Sequence, residues 1–245
     1  MLNFLRKLRS KEMSSTRYLK YALGEILLVV IGILIALSIN NWNEGKKART
    51  YELKMLDEIE DALNQDIPSI ERFDSILNIW NKSIIYLTKE VNQANQPSGH
   101  WDSIHYHLET IDQIGIFSIY NDGPYEALKS SGMDRISNDR LRNDIARLYS
   151  RDLPSLDIWV NEIQRQHIFI KHQEMDELFN TKISIDGSRM KEELVIADLS
   201  FLKNPKFHDM IRRTSNIVNS SRNRMKATVD RMKSVRNEIH EEITH

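Results

Sequence analysis

ALGEILLVVIGILIALSI, residues 22–39, carries a single charged residue, Glu25. At about 1.5 Å rise per residue, a helix of this length covers roughly 27 Å, close to one hydrocarbon core. The run predicts a transmembrane helix over 21–42. Tyr21 and Trp42 bracket it as interfacial anchors. A cleaved signal peptide has a shorter apolar run, about 7–15 residues, ending in small residues. Ala36-Leu37-Ser38 is a weak match, but it lies inside the run with no helix breaker before it. An anchor is therefore the preferred reading.

The flanks set the expected orientation. Arg6, Lys7, Arg9, Lys11, Arg17 and Lys20 precede the run, and Lys46, Lys47, Arg49 and Lys54 follow it. Excess Lys and Arg mark the cytoplasmic side. This predicts a bacterial inner-membrane protein with residues 1–20 cytoplasmic and 43–245 periplasmic. Within 1–20, Leu2, Phe4, Leu5 and Leu8 alternate with Arg6, Lys7 and Arg9. The pattern suits a short amphipathic helix on an anionic membrane face, and a simple basic retention signal accounts for it equally well.

Glu25 is the residue in the span that needs an explanation. At about 100° per residue it shares one helix face with Gly32 and Ala36. Gly32 and Ala36 form a small-xxx-small pair, which admits a close helix neighbour. One reading packs this stripe against another copy or a membrane partner. A second leaves Glu25 in the first turn, satisfied by the helix dipole and by Lys20 or Arg17. A third and weaker one makes Glu25 part of an ion pathway.

Composition narrows the rest. Lys and Arg (34) nearly balance Asp and Glu (35), so nothing points to nucleic acid. Glycine (8) and proline (5) are scarce, which favours long helices over turn-rich sheets. Cysteine is absent, which excludes disulfides, thiolate metal sites and cysteine nucleophiles.

Beyond the span, Leu56, Leu63, Ile70, Leu77, Ile84 and Val91 recur every seven residues. Ile59, Asp66, Phe73, Trp80 and Leu87 form a second register three residues on. This heptad seam predicts a helix over about 46–94, with a kink or break at Asp66-Ile67-Pro68. Near the C-terminus, Asn204-Pro205 is a helix start, and Ile211, Val218, Met225, Met232 and Ile239 again recur every seven. Their companions Thr214, Ser221, Thr228 and Val235 are small or β-branched and suit close packing, which predicts a second long helix over 205–243. Residues 49–91 hold nine acids and five bases, and residues 206–242 hold nine bases and five acids. Opposite charge excess favours antiparallel pairing of the two, which would return the C-terminus toward the membrane.

Between them, shorter helices are expected. Asn121-Asp122-Gly123-Pro124 starts one that Gly132 ends, and Ser137 caps the next. Asp152-Leu153-Pro154 opens a third, running to about Asn180, with the stripe Leu153, Leu156, Val160, Ile163, His167, Ile170, Met175 and Leu178. Residues 95–100 and 181–188 read as loops. No run demands a strand. The fold class is all-α: one N-terminal transmembrane helix continuing into an extramembrane helical bundle with two long heptad-patterned helices.

Candidate chemistry is sparse. His105, His107 and Glu109 are weak metal candidates beside His100 and Asp102, and only His105 and Glu109 share a helix face. Trp80, Trp101 and Trp159, with Tyr106, Tyr120, Tyr125 and Tyr149, are candidate lining for a ligand pocket, although bundle packing is the commoner use of such residues. No nucleophile elbow, H-E-x-x-H or phosphate loop is present, so no catalytic residue and no cofactor are expected.

The segment from Gly24 to Leu37, followed by Asn40-Asn41-Trp42-Asn43-Glu44, resembles an uncharacterised family of single-span membrane proteins found in Bacteroidota, a domain of unknown function. Leu128-Lys129-Ser130-Ser131-Gly132 and Leu141-Arg142 are also similar to the family pattern. The resemblance implies an inner-membrane protein with a periplasmic helical domain, and it implies no activity. The expected function is a non-enzymatic, membrane-anchored interaction or scaffold protein. Its expected partners are lipid and either its own copy or another membrane protein. The alternatives are a periplasmic ligand-sensing or transport-accessory subunit and, more weakly, an ion-conducting oligomer through Glu25.

Overall fold

The computed structural model describes residues 2–97, 99–113 and 115–244, with side chains from Tyr18 onward. The chain divides into two compact units, residues 1–54 and 55–245. The longest element, α1 (Leu2–Asn92), is one uninterrupted helix. Its first part makes up the first unit. The alternation of Leu2, Phe4, Leu5 and Leu8 with basic residues lies outside the described side chains. From Tyr18 on, the apolar window is wholly unburied, with a mean hydropathy of 2.7, and it is long and apolar enough to cross a membrane.

Pro68 does not break α1. A proline removes the N–H that would bond the carbonyl four residues back. Here that residue is Asn64, and Asn64 and Pro68 both lie on the exposed face, where water can satisfy the freed carbonyl. The buried heptad seam continues on the opposite side. Leu56, Ile59, Leu63, Ile70, Leu77, Trp80, Ile84 and Leu87 are all buried.

The partner of this seam is α7 (Pro205–Thr244). Asn204 caps it, its Oδ1 accepting from the Lys206 N–H at 2.9 Å. Ile211, Val218, Met225, Met232 and Ile239 are buried, and so are the companions Thr214, Ser221, Thr228 and Val235. Cross-links run in opposite order along the two helices: Asp74 to Arg222, Glu71 to Lys233, Asn64 to Arg236 and Glu60 to His240. The pairing is therefore antiparallel. These charged contacts line the edge of an apolar seam, and at such exposure they orient the helices more than they stabilise them.

Shorter helices pack on this pair. They are α2 (Trp101–Asp112), α3 (Gly123–Ser131), α4 (Asp139–Arg147), α5 (Leu153–Ile158) and α6 (Arg165–Leu178). Gly132 ends α3 with φ of 107°, a conformation that disfavours any side chain. The cap of α4 is Asn138, one residue after the expected Ser137, because its Oδ1 accepts from the Leu141 N–H. Pro154 does not open a new helix. α4, α5 and α6 form one helical run joined by two π segments, Leu148–Asp152 and Trp159–Gln164. In the first, the Leu153 N–H donates to the Leu148 carbonyl five residues back. That wider turn relieves the clash Pro154 would otherwise make with the preceding turn.

The expected loop at 181–188 is instead a β-hairpin, β1 (Asn180–Asp186) and β2 (Arg189–Val195), in register from Asn180↔Val195 to Asp186↔Arg189. Gly187 and Ser188 form the two-residue turn. Gly187 has φ of 62° and comes first, as a type II′ turn requires. The hairpin is mostly exposed, so its apolar residues leave no strong pattern in the sequence. A T-shaped trio, Phe179, Phe201 and Phe207, fills the interior beside it.

Candidate functional site

In the first unit, Glu25, Gly32 and Ala36 lie along one stripe of the helix, and all three are exposed. A Cβ added at Gly32 would meet nothing within 4 Å. Tyr21 and Trp42 are exposed at either end of the apolar stretch, and the Lys46 ammonium sits 5.7 Å from the centre of the Trp42 ring. The unit thus presents an apolar cylinder with a small-residue stripe and an acidic residue on the same face.

The second unit contains a buried polar seam where α2, α6 and the second π segment meet α1 and α7. Lys171 is fully buried. Its Nζ donates to the Ile111 carbonyl in the last turn of α2 and lies 5.2 Å from the Trp80 ring centre. Burial pushes its ammonium down to about 8, with Asp112 acting in the opposite direction. Asp112 accepts from the His172 ring at 3.0 Å. One turn back, His167 Nε2 lies 3.2 Å from the Thr214 hydroxyl. Burial lowers the His167 pKa, and the Lys171 and Arg213 charges lower it further. Next along the seam, Ser221 accepts from Trp159 Nε1 at 2.9 Å and donates to Gln164 Oε1 at 2.9 Å. Separate polar contacts therefore tie α6 to α2 through Ile111 and Asp112 and to α7 through Thr214, and tie the second π segment to α7 through Ser221. The Thr214 hydroxyl donates to the Met210 carbonyl at 2.8 Å, so it accepts from His167 Nε2 and does not give its proton to it.

A second buried group lies at Asp66. Its Oδ2 accepts from the Asn121 N–H at 2.8 Å, which fixes the entry to α3. Burial raises its pKa, and that hydrogen bond partly offsets the rise. Tyr149, stacked on Tyr125 at 4.9 Å, is pushed upward by its own burial and by the nearby Asp66 charge.

The weak metal candidates do not converge. His105 Nδ1 is 3.6 Å from Glu109, but its Nε2 contacts the Leu194 carbonyl at 2.9 Å and pins the hairpin to α2. His107 faces away, with Nδ1 2.9 Å from the Ser83 hydroxyl and its ring 4.1 Å from that of Tyr86. Among the described residues no three His, Asp or Glu side chains are grouped to hold a metal ion. Of the aromatic candidates, Tyr125 and Tyr149 stack on each other, and the tryptophans lie apart from them. Trp80 lies under Lys171, Trp101 and Tyr106 are exposed, and Trp159 packs between Ser221 and Arg224. Sequence reasoning missed buried Lys171, and it missed the Gln164–Ser221 pair. Ser221 was visible only as a small companion in the α7 heptads.

A family model described as a family of unknown function (DUF6090) matches residues 25–203. No curated protein and no solved structure matches the chain.

Proposed function

The chain belongs to that family of unknown function, and from this premise we propose that it is a membrane-anchored, non-enzymatic interaction protein. The observation that carries the reading is the uncovered apolar helix. Eighteen consecutive residues of high hydropathy have no burial at all within the chain. A monomeric water-soluble protein does not leave such a surface open, so lipid or another helix covers it. The stripe of Gly32 and Ala36 gives a second backbone room to approach, and Glu25 on that stripe supplies a hydrogen-bonding group. The Lys and Arg excess before the span supports a cytoplasmic N-terminus in a bacterial inner membrane, with the helical unit on the periplasmic side. That unit has its heptad seams already paired internally, so assembly is assigned to the membrane helix.

The test is native mass analysis of full-length protein extracted in mild detergent, with each co-purifying chain identified. A defined homo-oligomer or a stoichiometric membrane partner, lost on Gly32→Leu, is expected. A monomer that purifies alone, with Gly32→Leu behaving as the parent, would overturn the assembly reading.

A further inference from the structure

We propose that the groove between the first π segment and α7 is a binding site for a phosphate-bearing anion. The groove is a cavity of about 300 Å³, lined by Arg147, Arg151, Arg224 and Arg231 with a single carboxylate, Asp152. Four positive charges against one negative leave the lining at +3. Ser155 and Thr228 add two hydroxyls at its wall. The volume is at the small end of ligand pockets, which suits a compact anion rather than a polymer.

The arrangement is built by the fold. Residues five apart on a regular α-helix point about 140° away from each other. The π segment Leu148–Asp152 changes that, and Asp152 comes within 3.9 Å of Arg147. Asp152 also meets Arg151 at 2.9 Å and Arg231 at 3.8 Å. One carboxylate thus gathers three guanidinium groups, from α4, the π segment and α7, without neutralising them. Asp144 takes part of Arg231, at 3.4 Å. Arg224 lies 4.1 Å from the Trp159 ring centre and has no carboxylate partner among the described residues. That contact holds Arg224 against the Trp159 ring and leaves its N–H groups no carboxylate to donate to.

Guanidinium forks fit phosphate oxygens in a bidentate way, and hydroxyls complete the coordination. With Asp144 counted beside Asp152, the four arginines keep a net charge of +2, which a doubly charged phosphoryl group matches and a singly charged anion leaves half uncompensated. Two sources share this chemistry: a free phosphate compound and a phosphomonoester lipid headgroup. The site is independent of how the membrane helix assembles.

The experiment uses full-length protein in mild detergent, titrated calorimetrically at constant ionic strength. One arm uses pyrophosphate. The other uses short-chain phosphatidic acid, with phosphatidylcholine of the same chain length as its control. Saturable binding in the pyrophosphate arm supports the site with a soluble ligand. Binding of phosphatidic acid alone supports it with a headgroup. In either case Arg224→Gln and Arg147→Gln should weaken binding by about tenfold each, the loss of one charge-assisted contact. Arg224 has no ion pair to lose, so its variant gives up only the Trp159 contact and should lower the melting temperature by no more than a few degrees. Asp152→Asn removes the competing carboxylate and should tighten binding several-fold while lowering the melting temperature of the ligand-free protein. A fold defect cannot produce that opposite pair of effects. No saturable binding of either probe, or binding that neither arginine variant weakens, would overturn the proposal.

Discussion

Replacing Lys171 by Met should stabilise this protein at neutral pH and destabilise it at alkaline pH. Lys171 is fully buried, and burial brings its pKa from 10.5 to about 8. In the unfolded chain the side chain keeps its proton until about pH 10.4. Between pH 8 and that value the unfolded state therefore binds more protons than the native state. Stability rises with pH wherever that holds, so it climbs across this window. The shift corresponds to about 3 kcal/mol, the cost of keeping the ammonium buried below pH 8. Met fills a similar volume without the charge, but it leaves the Ile111 carbonyl without its donor, a loss of about 1 kcal/mol. The contact with Trp80 adds a smaller loss.

The balance is a Met variant about 1–2 kcal/mol more stable than the parent at pH 7 and about 1 kcal/mol less stable near pH 10.5. Denaturant unfolding of both full-length proteins in the same detergent, followed by tryptophan fluorescence, measures the difference. Tyrosine ionisation is common to both and largely cancels. A second readout is the His167 pKa, which the Lys171 charge depresses and which should rise in the variant. A Met variant several kcal/mol less stable at every pH would refute the reasoning. It would mean that the ammonium is an indispensable tie for α2 rather than a charge held inside at a cost.

Asp66→Asn should match or exceed the parent's stability at pH 7, because the amide oxygen still accepts from the Asn121 N–H and no charge is buried. Asp66→Ala should cost about 1–3 kcal/mol through the orphaned N–H. The native Asp66 pKa lies above 3.8, so the parent should gain stability relative to Asp66→Asn as the pH falls from its native pKa toward 3.8, and melting curves across that range check the sign. Ser221→Ala removes the link between Trp159 and Gln164 and should cost about 2 kcal/mol in denaturant unfolding. Gly187→Ala puts a side chain at φ of 62° and should cost about 1 kcal/mol, seen as faster amide exchange confined to β1 and β2.

The long helices were legible because each repeats one simple rule many times. Leu56 to Leu87 and Ile211 to Ile239 keep their heptads, and burial follows them almost residue for residue. Even Asp66, out of place in an apolar register, occupies its heptad position and is buried there with a backbone partner. The hairpin was not legible for the opposite reason. Ile183, Ile185 and Met190 are all exposed, so no buried face imposes alternation on either strand. Only the Gly187-Ser188 turn could have signalled it, as a two-residue II′ connection between two short runs. The arginine groove was invisible for another reason. Arg147 and Arg151 sit roughly eighty residues from Arg224 and Arg231, and nothing in the composition singles out one arginine among many.

The stripe on α5 and α6 matches the sequence pattern at its two ends and departs from it in the middle. The sequence places Leu153, Leu156, Val160, Ile163, His167 and Ile170 inward, then steps five residues to Met175. The structure buries Leu153, Leu156, Val160, Gln164, Ile168, Lys171 and Met175. Both readings contain one extra residue between Val160 and Met175, so the phase slip was present in the sequence. Apolar side chains at 163 and 170 placed it after Ile170. The fold places it at the π segment Trp159–Gln164, which leaves Ile163 and Ile170 exposed. Taken alone, this exchange is unfavourable, since Ile163, His167 and Ile170 give way to Gln164, Ile168 and Lys171, a net loss of one isoleucine from the core and a gain of a charge. What compensates lies on other elements: the Ser221 hydroxyl on α7, the Ile111 carbonyl on α2 and the Trp80 ring on α1. A helix read in isolation contains none of these partners. Its neighbours' polar groups therefore support the inward face between Val160 and Met175, where hydrophobic periodicity alone is one residue out of phase.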